Sequence, residues 1–325
     1  MLKLLVMYSN KPPSQVHVRR LMALRDDIQV VVADSEAISI RHASDTEIIL
    51  GHRYLRQTLP HTRSLKWIQS TAAGVQHLLS SDLIRISPIL TRCPIFSEIV
   101  ALHAFTLALA TLRRIPDAVA AQLQGEWSPP FDMLPHPQTA MVCGMGYIGR
   151  SIAAILRKHG ITVLGVDKSP SPEKKTACDE LLDNTNWREH LHQADLCFIA
   201  LPLTRQTYNL FDEAVLKTLP SHAVLVNVGQ GGIVDTSALV KQLKNGHLGG
   251  AALDVIDPKP ENPTDPIWKT PHLLITPKVS VFHPGRQRKL EEYIEIQVKR
   301  YLDSKELLHK VDIDWLAESG HEDIR

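Results

Sequence analysis

Near the middle of the chain three glycines stand in the spacing G-x-G-x-x-G: Gly144-Met145-Gly146-Tyr147-Ile148-Gly149. That spacing alone is weak, because α/β proteins have many glycine-rich turns. Here its surroundings are complete. An apolar run, Ala140-Met141-Val142-Cys143, leads in, and a helical stretch from Ser151 to His159 follows, with Gly160 as its C-cap. A second apolar run, Thr162 to Val166, then ends in Asp167. Strand, glycine turn, helix, strand and acidic residue within about 30 residues form the fingerprint of a dinucleotide-binding unit. Gly144 allows the tight turn, Gly146 lets backbone approach a pyrophosphate, and Gly149 lets helix and strand pack closely. The helix start offers free N–H groups and the positive end of its dipole to the phosphates, which are expected at Gly146, Tyr147 and Ile148. Asp167 lies 18 residues after Gly149. There it accepts hydrogen bonds from the ribose hydroxyls and repels a 2′-phosphate, which favours NAD over NADP, and Lys168 directly after it weakens that preference. The alternative is a glycine-rich turn that binds no nucleotide.

The rest of the chain repeats the strand–helix alternation. Leu4–Tyr8, Gln29–Ala33, Glu47–Leu50 and Trp67–Ser70 read as strands, with a helix such as Val16–Arg25 between them. After the glycine motif, Leu196–Ala200, Ala223–Val228, Ala251–Val255 and Leu273–Thr276 read the same way. Runs that are apolar throughout fit strands buried on both faces of a parallel sheet, hence an α/β fold. The 325 residues are enough for two domains. One long apolar helix is expected over Ile99–Ile115, ended by Pro116, and a proline-rich connection over 125–137. A long helix is expected over Arg286–Asp303, after Pro284.

Charge and cysteine content exclude several functions. Thirty-six Lys and Arg against 35 Asp and Glu leave a formal net charge of +1, so the total makes no strong electrostatic case for nucleic acid or a membrane surface, and demands no local basic patch. The longest mostly apolar stretch, Ile99–Leu112, is shorter than the ~20 residues a bilayer needs. Four cysteines without a C-x-x-C pair make no disulfide framework, and the start of the chain lacks the pattern of a signal peptide. A cytoplasmic protein is expected, and the sequence calls for no metal.

Several further motifs, in this order and spacing, resemble the D-isomer-specific 2-hydroxyacid dehydrogenase family, in particular its glyoxylate/hydroxypyruvate reductase branch. Gly144 to Arg150 looks like the family's nucleotide loop, Ala200-Leu201-Pro202-Leu203-Thr204 with Thr207 like its second signature, and Val226 to Asp235 like a third. Gly250 to Val255 and Thr276-Pro277 resemble the last two, and Ser70-Thr71-Ala72-Ala73-Gly74-Val75 the substrate loop. The resemblance implies two Rossmann- or flavodoxin-like doubly wound parallel-sheet domains. The NAD-binding domain, residues 100–285, is inserted into a substrate domain of residues 1–99 and 286–325. It further implies a homodimer formed through the nucleotide domain, with the helix Ile99–Ile115 buried there; an internal core helix is the alternative. Leu201, Pro202, Thr207 and Val228 would line the cofactor, Asp254 would hold the nicotinamide carboxamide, and Ala73, Gly74 and Val75 would meet a small anionic substrate.

The family's chemistry uses an arginine, a glutamate and a histidine, and their motif positions hold Gln230, Lys259 and Lys278 here. Gln230 makes no charged bidentate clamp on a carboxylate. A lysine serves as a base at neutral pH only when its pKa falls well below the usual ~10.4, as a second close ammonium group would make it. The three positions carry a formal +2 and still suit an anion. His283 and Arg286, in the loop that the family places beside the site, are candidates for proton donor and anion binder, although His283 also reads as an exposed loop histidine. His77 reads as a surface or packing residue, and His103 as a satisfied buried histidine. Two functions stay open: an NAD-dependent oxidoreductase of small 2-oxo or 2-hydroxy acids with altered catalytic residues, and an inactive NAD-binding scaffold or sensor. A lysine forming a Schiff base with a keto acid is a third.

Overall fold

The computed structural model describes residues 1–9, 11–127 and 132–318. In chain order the strands are β1 Leu2–Met7, β2 Ile28–Val32, β3 Ile48–Gly51, β4 Trp67–Gln69, β5 Ile89–Thr91, β6 Thr139–Cys143, β7 Thr162–Val166, β8 Glu180–Leu182, β9 Leu196–Ile199, β10 Val224–Asn227, β11 Gly250–Leu253, β12 Leu273–Ile275 and β13 Lys310–Val311. The chain divides into two compact units, Met1–Phe96 with His283–Arg325, and Ser97–Phe282.

The first unit holds a six-stranded sheet in the order β13-β5-β4-β3-β1-β2. Its pairs are parallel except β13 with β5. The order 2-1-3-4-5 is the flavodoxin-like one. β1 is buried along its whole length, as a strand covered on both faces must be. Trp67 is fully buried in this sheet, its Nε1 donating to Thr91 Oγ1 at 2.9 Å. The returning helix Arg286–Leu302 belongs to this unit, and its Glu291 accepts from the Ser14 N–H and hydroxyl, both at 2.8 Å.

The second unit holds a seven-stranded sheet, β12-β11-β10-β9-β6-β7-β8, in which every pair is parallel. The strand order reverses beside β6, next to β9, and the carboxyl ends of strands at such a switch point are where open α/β sheets bind ligands. The helix Ser97–Leu112 packs Ala104, Phe105 and Ala108 into one cluster with Ile152 and Leu156 of the helix Tyr147–Lys158.

Two expected elements are corrected. Pro116 does not end the helix at 99–115. That helix stops at Leu112, Arg114 takes a left-handed backbone (φ +52°), and Pro116 lies in the first turn of a new helix, Ile115–Gln124. Proline fits there because a first-turn N–H has no intrahelical acceptor. Arg114 fixes the break: its buried guanidinium donates to Gly249 O at 2.8 Å and to Asp132 O at 3.2 Å. The helix after the glycine motif starts at Tyr147, not Ser151, so Gly149 lies in its first turn. In the connection at 125–137, residues 128–131 lie outside the described residues.

Candidate functional site

The nucleotide loop leaves β6 at Gly144, whose backbone is left-handed (φ +97°) and whose N–H donates to Val166 O at 2.8 Å. A Cβ on Gly144 would lie 2.7 Å from Ala200 O, and one on Gly149 would overlap the Gly144 carbonyl oxygen. Both positions therefore require glycine for packing. Gly146 differs: a Cβ there meets nothing within 4 Å, and the residue caps the helix Tyr147–Lys158 without a side-chain hydrogen bond. The first turn of this helix carries no acidic residue. Open space, first-turn N–H groups and the dipole of a twelve-residue helix together suit a pyrophosphate.

Asp167 follows β7 with its carboxylate oriented by three donors. Oδ2 accepts from Met145 N at 3.1 Å, and Oδ1 accepts from Ser169 N at 2.9 Å and from Lys174 Nζ at 2.8 Å. Burial lowers the pKa of Lys168, Asp167 opposes that, and Lys174 adds to it.

Further strand ends meet beside this loop. After β9, Leu201 and Pro202 are half-buried, and Thr207 Oγ1 donates to Pro202 O at 2.7 Å while accepting from Thr204 N at 2.8 Å. After β10, Val228 is buried and a Cβ on Gly229 would lie 2.7 Å from Leu201 O. A Cβ on Gly231 would overlap the Ile256 backbone, so the turn bearing Gln230 lies against the chain that leads to Lys259. Gln230 and Lys259 are exposed.

Asp254, at the end of β11, is the buried anchor of the region. Its Oδ1 accepts from Thr276 Oγ1 at 2.7 Å and Val279 N at 2.9 Å, and its Oδ2 from Ser280 N at 3.1 Å. His103 Nε2 lies 3.4 Å from Oδ1 and 3.2 Å from Thr276 Oγ1. Burial alone would raise this carboxyl's pKa. The hydrogen bonds from His103, Ser280, Thr276 and Val279 overcome it and hold Asp254 well below the usual carboxylate range. The same turn fixes Lys278, which is exposed, has φ +54°, and donates its N–H to Asp254 O and Thr276 O, each at 2.9 Å.

The remaining expected residues belong to the first unit. Ala73 and the exposed Gly74 follow β4, and Val75 is buried. Beside them His52 Nδ1 lies 3.3 Å from Ser70 Oγ, and the His52 and His77 rings meet nearly edge to face, 5.1 Å between centroids. Burial, and then the charge of His77, pull the His52 pKa down to about 4. His283 is exposed, and Arg286 places its guanidinium 5.4 Å above the Phe96 ring centre.

Sequence reasoning missed three participants. His103 is a half-buried partner of Asp254, not a satisfied core histidine; Thr276, which it also meets, is 173 positions away in sequence, so the helix that bears His103 carries no local sign of the pairing.

 His52 lay in no motif, and Lys174 reaches Asp167 only through the turn between them. Among the described residues no group of three His, Cys, Asp or Glu is arranged to hold a metal ion, and no single helix is long and apolar enough to cross a membrane.

Comparison with known proteins gives the family. Residues 105–280 match the model of the D-isomer specific 2-hydroxyacid dehydrogenase, NAD binding domain. A glyoxylate reductase of Thermofilum pendens is 31% identical over 236 residues, which is 70% of this chain and 69% of that one. A D-isomer specific 2-hydroxyacid dehydrogenase of Xanthobacter autotrophicus, solved with NADPH and MES, superposes with a TM-score of 0.77 at 25% identity, covering 97% of this chain and 100% of that one. A family protein from Aeromonas salmonicida gives 0.76 at 26% identity, covering 96% and 99%. With its nucleotide domain matched over more than half of its length, this chain belongs to the D-isomer specific 2-hydroxyacid dehydrogenase family.

Proposed function

We propose that the protein is an NAD-dependent oxidoreductase of small 2-oxo and 2-hydroxy acids, of the glyoxylate or hydroxypyruvate class, working with non-standard catalytic residues. The observation that carries this reading is the open helix start at Gly146, with Asp167 ordered beside it. The residues fit a dinucleotide: Tyr147 and Ile148 would hold the pyrophosphate, Asp167 the adenosine ribose, and Leu201, Pro202, Thr207 and Val228 the surfaces between. A bound nicotinamide supplies or accepts the hydride.

The chain's own residues do the rest. Asp254 would orient the carboxamide, and with Thr276 it holds the turn that presents Lys278. Lys278 would donate the proton to a substrate carbonyl, with His283 as the alternative donor. Lys259 and Arg286 would bind the carboxylate, and Ala73, Gly74 and Val75 would contact the substrate. Gln230 stands where the charged clamp is expected. A second reading, a nucleotide-binding scaffold without turnover, draws on the same three substitutions.

Calorimetric titration with NADH and NADPH tests the cofactor assignment: NADH should bind more tightly, and tighter NADPH or no binding of either would overturn it. We further propose a cytoplasmic homodimer formed through the second unit. Supporting it, Leu102, Leu109, Ile115, Val119 and Leu123 are exposed on two successive helices, and the four cysteines are free and buried. Sedimentation analysis should give twice the chain mass; a monomer at micromolar concentration would contradict it.

A further inference from the structure

Asp167 is the residue expected to reject a 2′-phosphate, yet its charge is already answered. Lys174 Nζ lies 2.8 Å from Asp167 Oδ1 and donates also to Ser169 O at 2.6 Å. Both partners of the ion pair are largely buried, with side-chain exposures of 17% and 14%. A pair so enclosed is screened less by water than a surface pair. Lys168 adds a second ammonium group directly after Asp167. Nearby, Arg150 and Glu173 lie 4.0 Å apart and offset each other. Counting Asp167, Lys168, Lys174, Arg150 and Glu173, the formal charge around the ribose position is +1, not the −1 that a lone aspartate would give.

We infer that Lys174 is a specificity-determining residue that cancels the discrimination by Asp167 and lets the protein accept NADP(H) as well as NAD(H). The inference rests on the nucleotide reading above. With Lys174 in place, Asp167 keeps its bond to Met145 N and can still accept a ribose hydroxyl on Oδ2, while the pair as a whole no longer repels a phosphate. Lys168 and Lys174 are the groups that would face the added phosphate. NADH remains the tighter ligand, but by a narrow margin.

The test is fluorescence titration of NADH and NADPH with the wild type, Lys174→Met, Lys174→Arg and Asp167→Asn. The wild type should bind both within about tenfold, a gap of about 1.4 kcal/mol. Lys174→Met should weaken NADPH at least about tenfold and NADH less than about threefold, Lys174→Arg should restore the wild-type ratio, and Asp167→Asn should move the ratio toward NADPH. A lysine that only braces the loop would weaken both nucleotides equally, and that result, or an unchanged ratio in Lys174→Met, would overturn the inference while leaving the nucleotide site standing. If the wild type binds neither nucleotide, the underlying reading falls and the inference with it.

Discussion

At the scale of single residues, His52 carries a clear dependence on pH. Its pKa falls from an ordinary 6.5 to about 4, because burial and the neighbouring His77 disfavour the charged ring. As pH drops, the unfolded chain takes up this proton first. Between about 6.5 and 4 the unfolded state therefore binds more protons, and stability present above that window is lost on acidification. One pKa unit is worth 1.36 kcal/mol, so after allowance for partial solvent access the loss is about 1–3 kcal/mol. Urea unfolding at pH 7 and pH 4.5 should show the wild type losing that much more than His52→Gln. Equal losses would contradict the assignment. The residue scale is also where the sequence was least informative. The motifs carry an expectation for Gln230, Lys259 and Lys278, but the bonds of His103 to Asp254 and Thr276 join positions far apart in sequence and exist only in the fold.

At the scale of elements, the glycine loop separates two roles that the sequence motif runs together. A Cβ on Gly149 overlaps backbone, so Gly149→Ala must push helix and strand apart, at a cost of about 1–3 kcal/mol. A Cβ on Gly146 meets nothing within 4 Å among the described residues. Gly146→Ala should therefore keep its thermal stability and still lose NADH affinity at least about tenfold, because the methyl group occupies the approach of the phosphates. Thermal unfolding and NADH titration of both variants check this; full NADH affinity in Gly146→Ala would place the nucleotide elsewhere. The central strands were legible because strands buried on both faces are apolar, as β9 is throughout and β10 is up to its last residue, Asn227. β5, β8 and β13 were not, being two or three residues long with exposed positions. The break at Arg114 was hidden for another reason: Gly249 O, which holds its guanidinium, is distant in sequence, so Pro116 reads as a stop although it lies in the first turn of a new helix.

At the scale of the whole molecule, each unit carries its own sheet, one in flavodoxin-like order and parallel but for its edge strand β13, the other parallel throughout in Rossmann-like order. The family assignment accounts for that architecture, but not for a chain with lysines where an acid–base pair is expected. General acid–base catalysis is typically worth 10²–10⁴-fold, so replacing its residues should leave slow turnover. The most direct measurement is steady-state NADH consumption on glyoxylate and hydroxypyruvate by the wild type, by Lys278→His, and by the triple variant Gln230→Arg, Lys259→Glu, Lys278→His. The wild type should turn over slowly. Lys278→His alone should gain little, because its imidazole would lack a carboxylate partner, and the triple variant should gain most by restoring clamp, orienting group and proton carrier together. Brisk wild-type turnover that Lys278→Ala abolishes would show instead that the lysine moves the proton well, and would contradict the account.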